Sequence, residues 1–198
     1  MPPYQQTYKE TFEIEKENFK RDIDILKQIS GNKYIFYEAE ALELQYEGVD
    51  FIGIPKDAPV DTCKYIFIDR KTSNKYDKRK KIIFELYYQY EDRAKKESWS
   101  LKAPNGDNVF MIVFIDREQV ISISKRNMIN SLRVLEELRP DLIKVTEEYN
   151  SKGKRVKKYI VSLSINHAYV KSMKPNIYHK FNVNGEDAFI KINEKITI

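Results

Sequence analysis

A short apolar run that breaks into three charges constrains this chain more than any other stretch. Tyr65-Ile66-Phe67-Ile68 leads directly into Asp69-Arg70-Lys71. Aromatic and β-branched residues in such a run favour a strand. In an extended chain successive side chains point to opposite faces. Tyr65, Phe67, Asp69 and Lys71 then share one face, and Ile66, Ile68 and Arg70 share the other. An acid and a lysine project side by side from the end of a core strand. Upstream lies a second apolar segment, Val49 to Ile54, with Asp50 at its entry. The loop from Pro55 to Asp61 is short enough to join two antiparallel neighbours. Such a hairpin brings Asp50, Asp69 and Lys71 to one edge of a sheet. Two carboxylates suit a hard cation such as magnesium. A lysine beside the cation can orient a water for attack on a phosphate.

Asp50 followed by Asp69-x-Lys71 at the end of an apolar strand resembles the PD-(D/E)xK nuclease superfamily. The resemblance covers roughly Glu38 to Leu101. Asp69 is the only acidic residue of the chain with a lysine two positions later. Val49 stands where the pattern has proline. The resemblance implies an α/β (α+β) chain with a restriction-endonuclease-like central mixed sheet flanked by helices. It places a core at about residues 8–140 and a β-rich C-terminal extension at about 141–198, within one domain. It implies a Mg²⁺- or Mn²⁺-dependent endonuclease acting on DNA in the cytoplasm. Asp50, Asp69 and the main-chain carbonyl of Arg70 would hold the metal, and Lys71 would orient the attacking water. Small members of the superfamily include restriction enzymes, junction resolvases and nucleases of phages and mobile elements, and many dimerise. Folds of this kind often add one acid from the helix before the sheet. Glu13, Glu15, Glu17, Asp22 and Asp24 compete for that role with an ordinary solvated face. The alternative reading is a non-catalytic nucleic-acid- or protein-binding module on the same fold, with Asp69 and Lys71 as a plain ion pair. A third is an accessory protein whose tyrosine-rich surface binds a protein partner.

Composition narrows the chemistry. The 198 residues are enough for one sizeable core. One cysteine, Cys63, excludes an intramolecular disulfide, and with only His167 and His179 it excludes an ordinary structural zinc site. Carboxylates are the plentiful metal ligands, and no organic cofactor is expected. No apolar run reaches the length of a membrane span. The net charge of +5 suits a nucleic-acid partner and equally a solvated mixed-charge surface.

Apolar residues Phe12, Phe19, Ile23 and Leu26 recur at helical spacing, which predicts a helix from Tyr8 to Ile29 stopped by Gly31. Lys33 to Tyr37 reads as a strand. Lys75, Tyr76, Lys78, Arg79, Lys80 and Lys81 follow the Asp69 strand as a basic loop suited to phosphates, with a tyrosine able to stack on a base. Ile82 to Tyr90 is too short for periodicity to separate strand from helix. As a strand it would offer Glu85 as an extra metal ligand, against an ordinary surface glutamate. Trp99 is expected to pack in the core or on a sheet edge. Val109 to Ile115 and Val120 to Ser124 read as strands, and Met128, Leu132, Leu135 and Leu138 mark a helix ended by Pro140. Asp141 to Lys158 reads as a polar stretch with a second basic cluster, Lys152, Lys154, Arg155, Lys157 and Lys158. Tyr159 to Leu163 is the next strand, followed by short β segments.

Overall fold

The computed structural model describes residues 8–40, 48–57, 65–72, 81–91, 93–102, 109–114, 118–149 and 153–192. The protein is a mixed α+β structure dominated by strands. Helix α1 (Tyr8–Ile29) precedes β1 (Tyr34–Glu38), β2 (Phe51–Pro55) and β3 (Ile66–Thr72). β4 (Lys81–Tyr90) and the short β5 (Lys96–Glu97) follow, then β6 (Val109–Phe114) and β7 (Gln119–Ser124). Helix α2 (Lys125–Leu138), β8 (Lys144–Tyr149), β9 (Arg155–Ser164), helix α3 (Ala168–Ser172), β10 (Asn176–Val183) and β11 (Glu186–Lys191) complete it.

Seven strands form one mixed sheet in the order β1-β2-β3-β6-β7-β10-β11. β1, β2 and β3 are a continuous antiparallel meander, and β6 joins β3 in parallel. The other four strands form an antiparallel sheet in the order β5-β4-β9-β8. The chain leaves the mixed sheet after β3, builds β4 and β5, and returns as β6.

Period-two alternation sorts the core into two layers. On one face of the mixed sheet Phe51, Ile68, Ile112 and Val120 pack with Ile25 and Leu26 of α1. On the other, Met111, Val113, Ile121 and Ile123 pack with Met128, Leu132 and Leu135 of α2 and with Ile82, Phe84, Leu86, Val161 and Leu163 of the second sheet. Met128, Leu132 and Leu135 lie on one helical stripe, and all three are fully buried. The expected hairpin is present, with Phe51 opposite Ile68 and Gly53 opposite Ile66.

Gly53 is fixed by this packing. A Cβ there would come within 2.5 Å of Ile66 Cγ1 and 2.8 Å of Phe36 Cε1. Gly53→Ala is expected to cost about 1–3 kcal/mol through overpacking, read as a lower urea midpoint with an unchanged slope. A midpoint equal to that of the wild type would show that the two side chains can part without cost.

Three sequence readings change or resolve here. Ile82 to Tyr90, open between helix and strand, lies in strand β4. The polar stretch from Asp141 to Lys158, to which the sequence assigns no element, contains β8 and the start of β9. Two described members of its basic cluster meet acids across that hairpin, and Lys152 lies outside the described residues. Arg155 bonds Glu147, and Lys158 pairs with Glu148 at 2.6 Å. The strands beyond residue 140 divide between the sheets: β9 pairs with β4, and β10 pairs with β7.

Candidate active site

The hairpin register puts Phe51 across from Ile68. Asp50 stands just before β2, and its nearest charges are Lys71, Asp69 and Arg70. Asp69 alternates with Ile68 and Arg70, both turned to α1, so it lies on the face away from α1. Gly48, at φ +78°, supplies the left-handed turn that delivers the chain into Val49 and Asp50. Asp50 is then held by its neighbours. Its N–H donates to the Ile68 carbonyl at 2.8 Å, and its carbonyl accepts from Ala39 N–H at 2.9 Å. Its Oδ2 accepts from the Arg70 N–H at 2.6 Å.

Asp69 is 1% exposed and carries two lysines. Lys125 Nζ donates to Oδ2 at 2.7 Å. Lys71 Nζ lies 2.5 Å from Oδ1. That second contact is an ion pair without hydrogen-bond alignment, so Oδ1 accepts no aligned hydrogen bond among the described residues. Both ammonium groups also face the Trp99 ring, at 4.6 Å for Lys71 and 5.3 Å for Lys125. Desolvated cation–π contacts of this kind contribute up to about 2 kcal/mol. Trp99, partly buried against the main core as expected, thus also lines the site.

The electrostatics follow from burial. Desolvation raises the Asp50 carboxyl above the usual range and outweighs the Arg70 amide and Lys71 charge that favour ionisation, while the Asp69 charge adds to the rise. Desolvation likewise holds Lys125 below the usual lysine range, against the pull of Asp69. For Asp50 the sign is direct. A raised carboxyl binds its proton more tightly in the folded state, so stability is present in acid and is lost as pH rises through the raised value. Asp50→Asn cannot ionise. In chelator it is expected to be more stable than wild type at about pH 7 and to lose that advantage near about pH 4. Urea midpoints at the two pH values check this. A larger advantage in acid would contradict it.

Arg70 points the other way. Its Nε bonds Asp22, which is wholly buried on α1, and its guanidinium lies 5.2 Å from the Phe19 ring centroid. Of the two helix acids whose side chains are described, Asp22 is the buried one, but it serves the face opposite Asp69. Asp24 is exposed and pairs with Lys27 at 3.2 Å. The side chains of Glu13, Glu15 and Glu17 lie outside the described residues.

The remaining expected residues separate from the site. Glu85 is in the second sheet, where it accepts from Ser98 Oγ at 2.5 Å and pairs with Lys158 at 3.1 Å. Its carboxylate is committed there rather than to a metal beside Asp50 and Asp69. Lys75, Tyr76, Lys78, Arg79 and Lys80 lie outside the described residues. Lys81 opens β4, paired with Ser164. His167 accepts from the Tyr169 N–H at 3.3 Å, and His179 contacts Gln119 at 2.9 Å.

Lys125 escaped the sequence reading, although a signal for it exists. It lies three residues before Met128 and seven before Leu132, at the head of the buried α2 stripe. A lysine at such a position needs an acid, and Asp69 provides it.

Among the described residues no three histidine, cysteine or acidic side chains converge on one point. A cation here would have two carboxylates and a main-chain carbonyl. That all-oxygen set fits magnesium, which binds through one or two carboxylates and keeps several waters. The unaligned, buried Oδ1 of Asp69 is the acceptor such a cation would use. No described helix is long and apolar enough to cross a membrane. No family model, curated protein or solved structure matches the chain.

Proposed function

We propose that the protein is a divalent-cation-dependent endonuclease on a restriction-endonuclease-like core, with DNA as its substrate in the cytoplasm. One observation carries the reading: Asp50 is bonded to the Arg70 amide, between Asp69 and Lys71, and Lys71 pairs with Asp69. The antiparallel meander joined in parallel by β6 supports the fold.

Bound Mg²⁺ or Mn²⁺ would supply Lewis-acid polarisation of a phosphate oxygen. The chain's own residues do the rest. The Arg70 amide fixes one oxygen of Asp50 and so orients the other. Lys71, 32% exposed in its side chain, reaches solvent while resting on Trp99. It can hold a water in line with the phosphorus and offset the charge that develops there. The attacking water forms a new P–O bond, the bridging P–O bond breaks, and the departing oxygen takes a proton. A flexible lysine can serve water and phosphate in turn, which a planar guanidinium does less well.

A second reading is favoured by one feature. Asp50 and Asp69 are balanced by Lys71 and Lys125, so the cluster is electrically complete without a ligand. On that reading it closes the sheet end of a non-catalytic binding module. Titration with Mn²⁺, followed by incubation with supercoiled, linear, single-stranded and four-way-junction DNA, separates the two. The nuclease takes up Mn²⁺ and cuts at least one substrate, with no cutting in EDTA. Failure to take up Mn²⁺ would leave the non-catalytic module.

A further inference from the structure

We infer that Lys125 is the fixed positioning residue of this site, retaining Asp69 Oδ2 while Oδ1 passes from Lys71 to a divalent cation. The inference rests on the nuclease reading and deepens it by giving the two lysines different roles.

The two ammonium groups differ in what they lose by leaving Asp69. Lys125 is 3% exposed, and its stem lies on the buried stripe of α2. Its bond to Oδ2, at 2.7 Å, is an aligned hydrogen bond. Separation would strand a buried cation away from water. Lys71 is about one-third exposed, and its contact with Oδ1 lacks alignment. Water can reach the Lys71 ammonium, whose Trp99 face stays in place, while the buried Oδ1 needs the incoming cation as its new partner. An arriving cation therefore takes Oδ1 from Lys71, and Lys71 is freed for water and phosphate. Lys125 stays behind. It sets which oxygen of Asp69 is presented, and its fixed positive charge opposes the cation.

This arrangement makes a prediction opposite to that of a purely structural lysine. Lys125→Gln can keep a donor on Oδ2 but removes the charge. It is expected to bind Mn²⁺ about tenfold more tightly, measured by the loss of the free Mn²⁺ electron paramagnetic resonance signal. A lysine that only held the fold together would weaken binding when replaced. Unchanged or weaker Mn²⁺ binding in a Lys125→Gln protein that melts like wild type overturns the inference.

A second measurement needs no variant at the site to fold. In wild-type protein carrying ¹⁵N-labelled lysine, Mg²⁺ should shift the Lys71 Nζ resonance and leave the Lys125 Nζ resonance bonded and in place. A displaced Lys125 resonance with Lys71 unmoved overturns it. Wild type that takes up no Mn²⁺ defeats the nuclease reading and this inference together. Wild type that binds Mn²⁺ as described but cuts no nucleic acid defeats the nuclease reading alone, and the role of Lys125 then stands on binding.

Discussion

Lys71→Ala is expected to lower the cleavage rate by about 10²–10⁴-fold, the range for a positioned proton-handling group, while Mn²⁺ remains bound. It is the cleanest substitution at the site. Lys71 is partly exposed, and the buried Asp69 keeps Lys125 on its other oxygen. The buried Oδ1 of Asp69 does lose its ion pair, so melting midpoints of the two proteins are compared first. Asp69→Asn is expected to be inactive too, but it weakens the buried bond to Lys125 and so mixes catalysis with folding. The decisive comparison is single-turnover cleavage alongside a Mn²⁺ titration. A fall in rate with full Mn²⁺ occupancy assigns Lys71 to the chemistry. Wild-type cleavage by Lys71→Ala would remove it from the mechanism.

The second large effect lies on the opposite face. Asp22→Ala is expected to destabilise the protein by about 3–5 kcal/mol, the cost of removing one partner of a buried ion pair. Asp22 is wholly buried and is shared by two guanidinium groups. Arg21 donates to Oδ1 from Nε at 3.1 Å and from a terminal nitrogen at 2.9 Å, while Arg70 Nε takes Oδ2. Alanine would leave Arg70, largely covered, facing Phe19 without its carboxylate. For a chain of this size the loss corresponds to a melting midpoint lower by about 6–20 °C. The double variant Asp22→Leu with Arg70→Met should recover part of it, since apolar replacements of a buried pair are often tolerated. A fall of less than about 1 kcal/mol would place the pair among weak surface contacts.

Much of the central sheet was legible because its signals are local. Alternation from Tyr65 to Lys71 identifies β3, and the proline loop identifies its hairpin with β2. The unique Asp69–Lys71 spacing then singles out the acid and lysine that the structure joins. What stayed hidden depends on distant partners. Asp22 looks like four other helix acids until Arg70, 48 residues later, buries it. Lys125 reads as surface until its place on the α2 stripe is compared with Asp69. β8 escaped because all its residues are exposed and cross-strand pairs, not a core face, hold it. Glu85 was drawn to the metal by its nearness in sequence, yet the chain leaves the mixed sheet before reaching it.

The docking of α1 has a kinetic consequence. Gln28 near its end accepts the Phe189 N–H of β11, across 161 residues of chain. The helix can coil early, but it lacks this edge of its bed until the strand farthest from it in sequence has paired. Contacts so remote slow folding, because a long loop must close before they repay its entropy. Refolding should therefore finish at this corner, with the Phe189 amide among the last to gain protection from hydrogen exchange. Until then the Asp22–Arg70 clasp, and with it the back of the strand that carries Asp69, would be held by an incompletely seated helix.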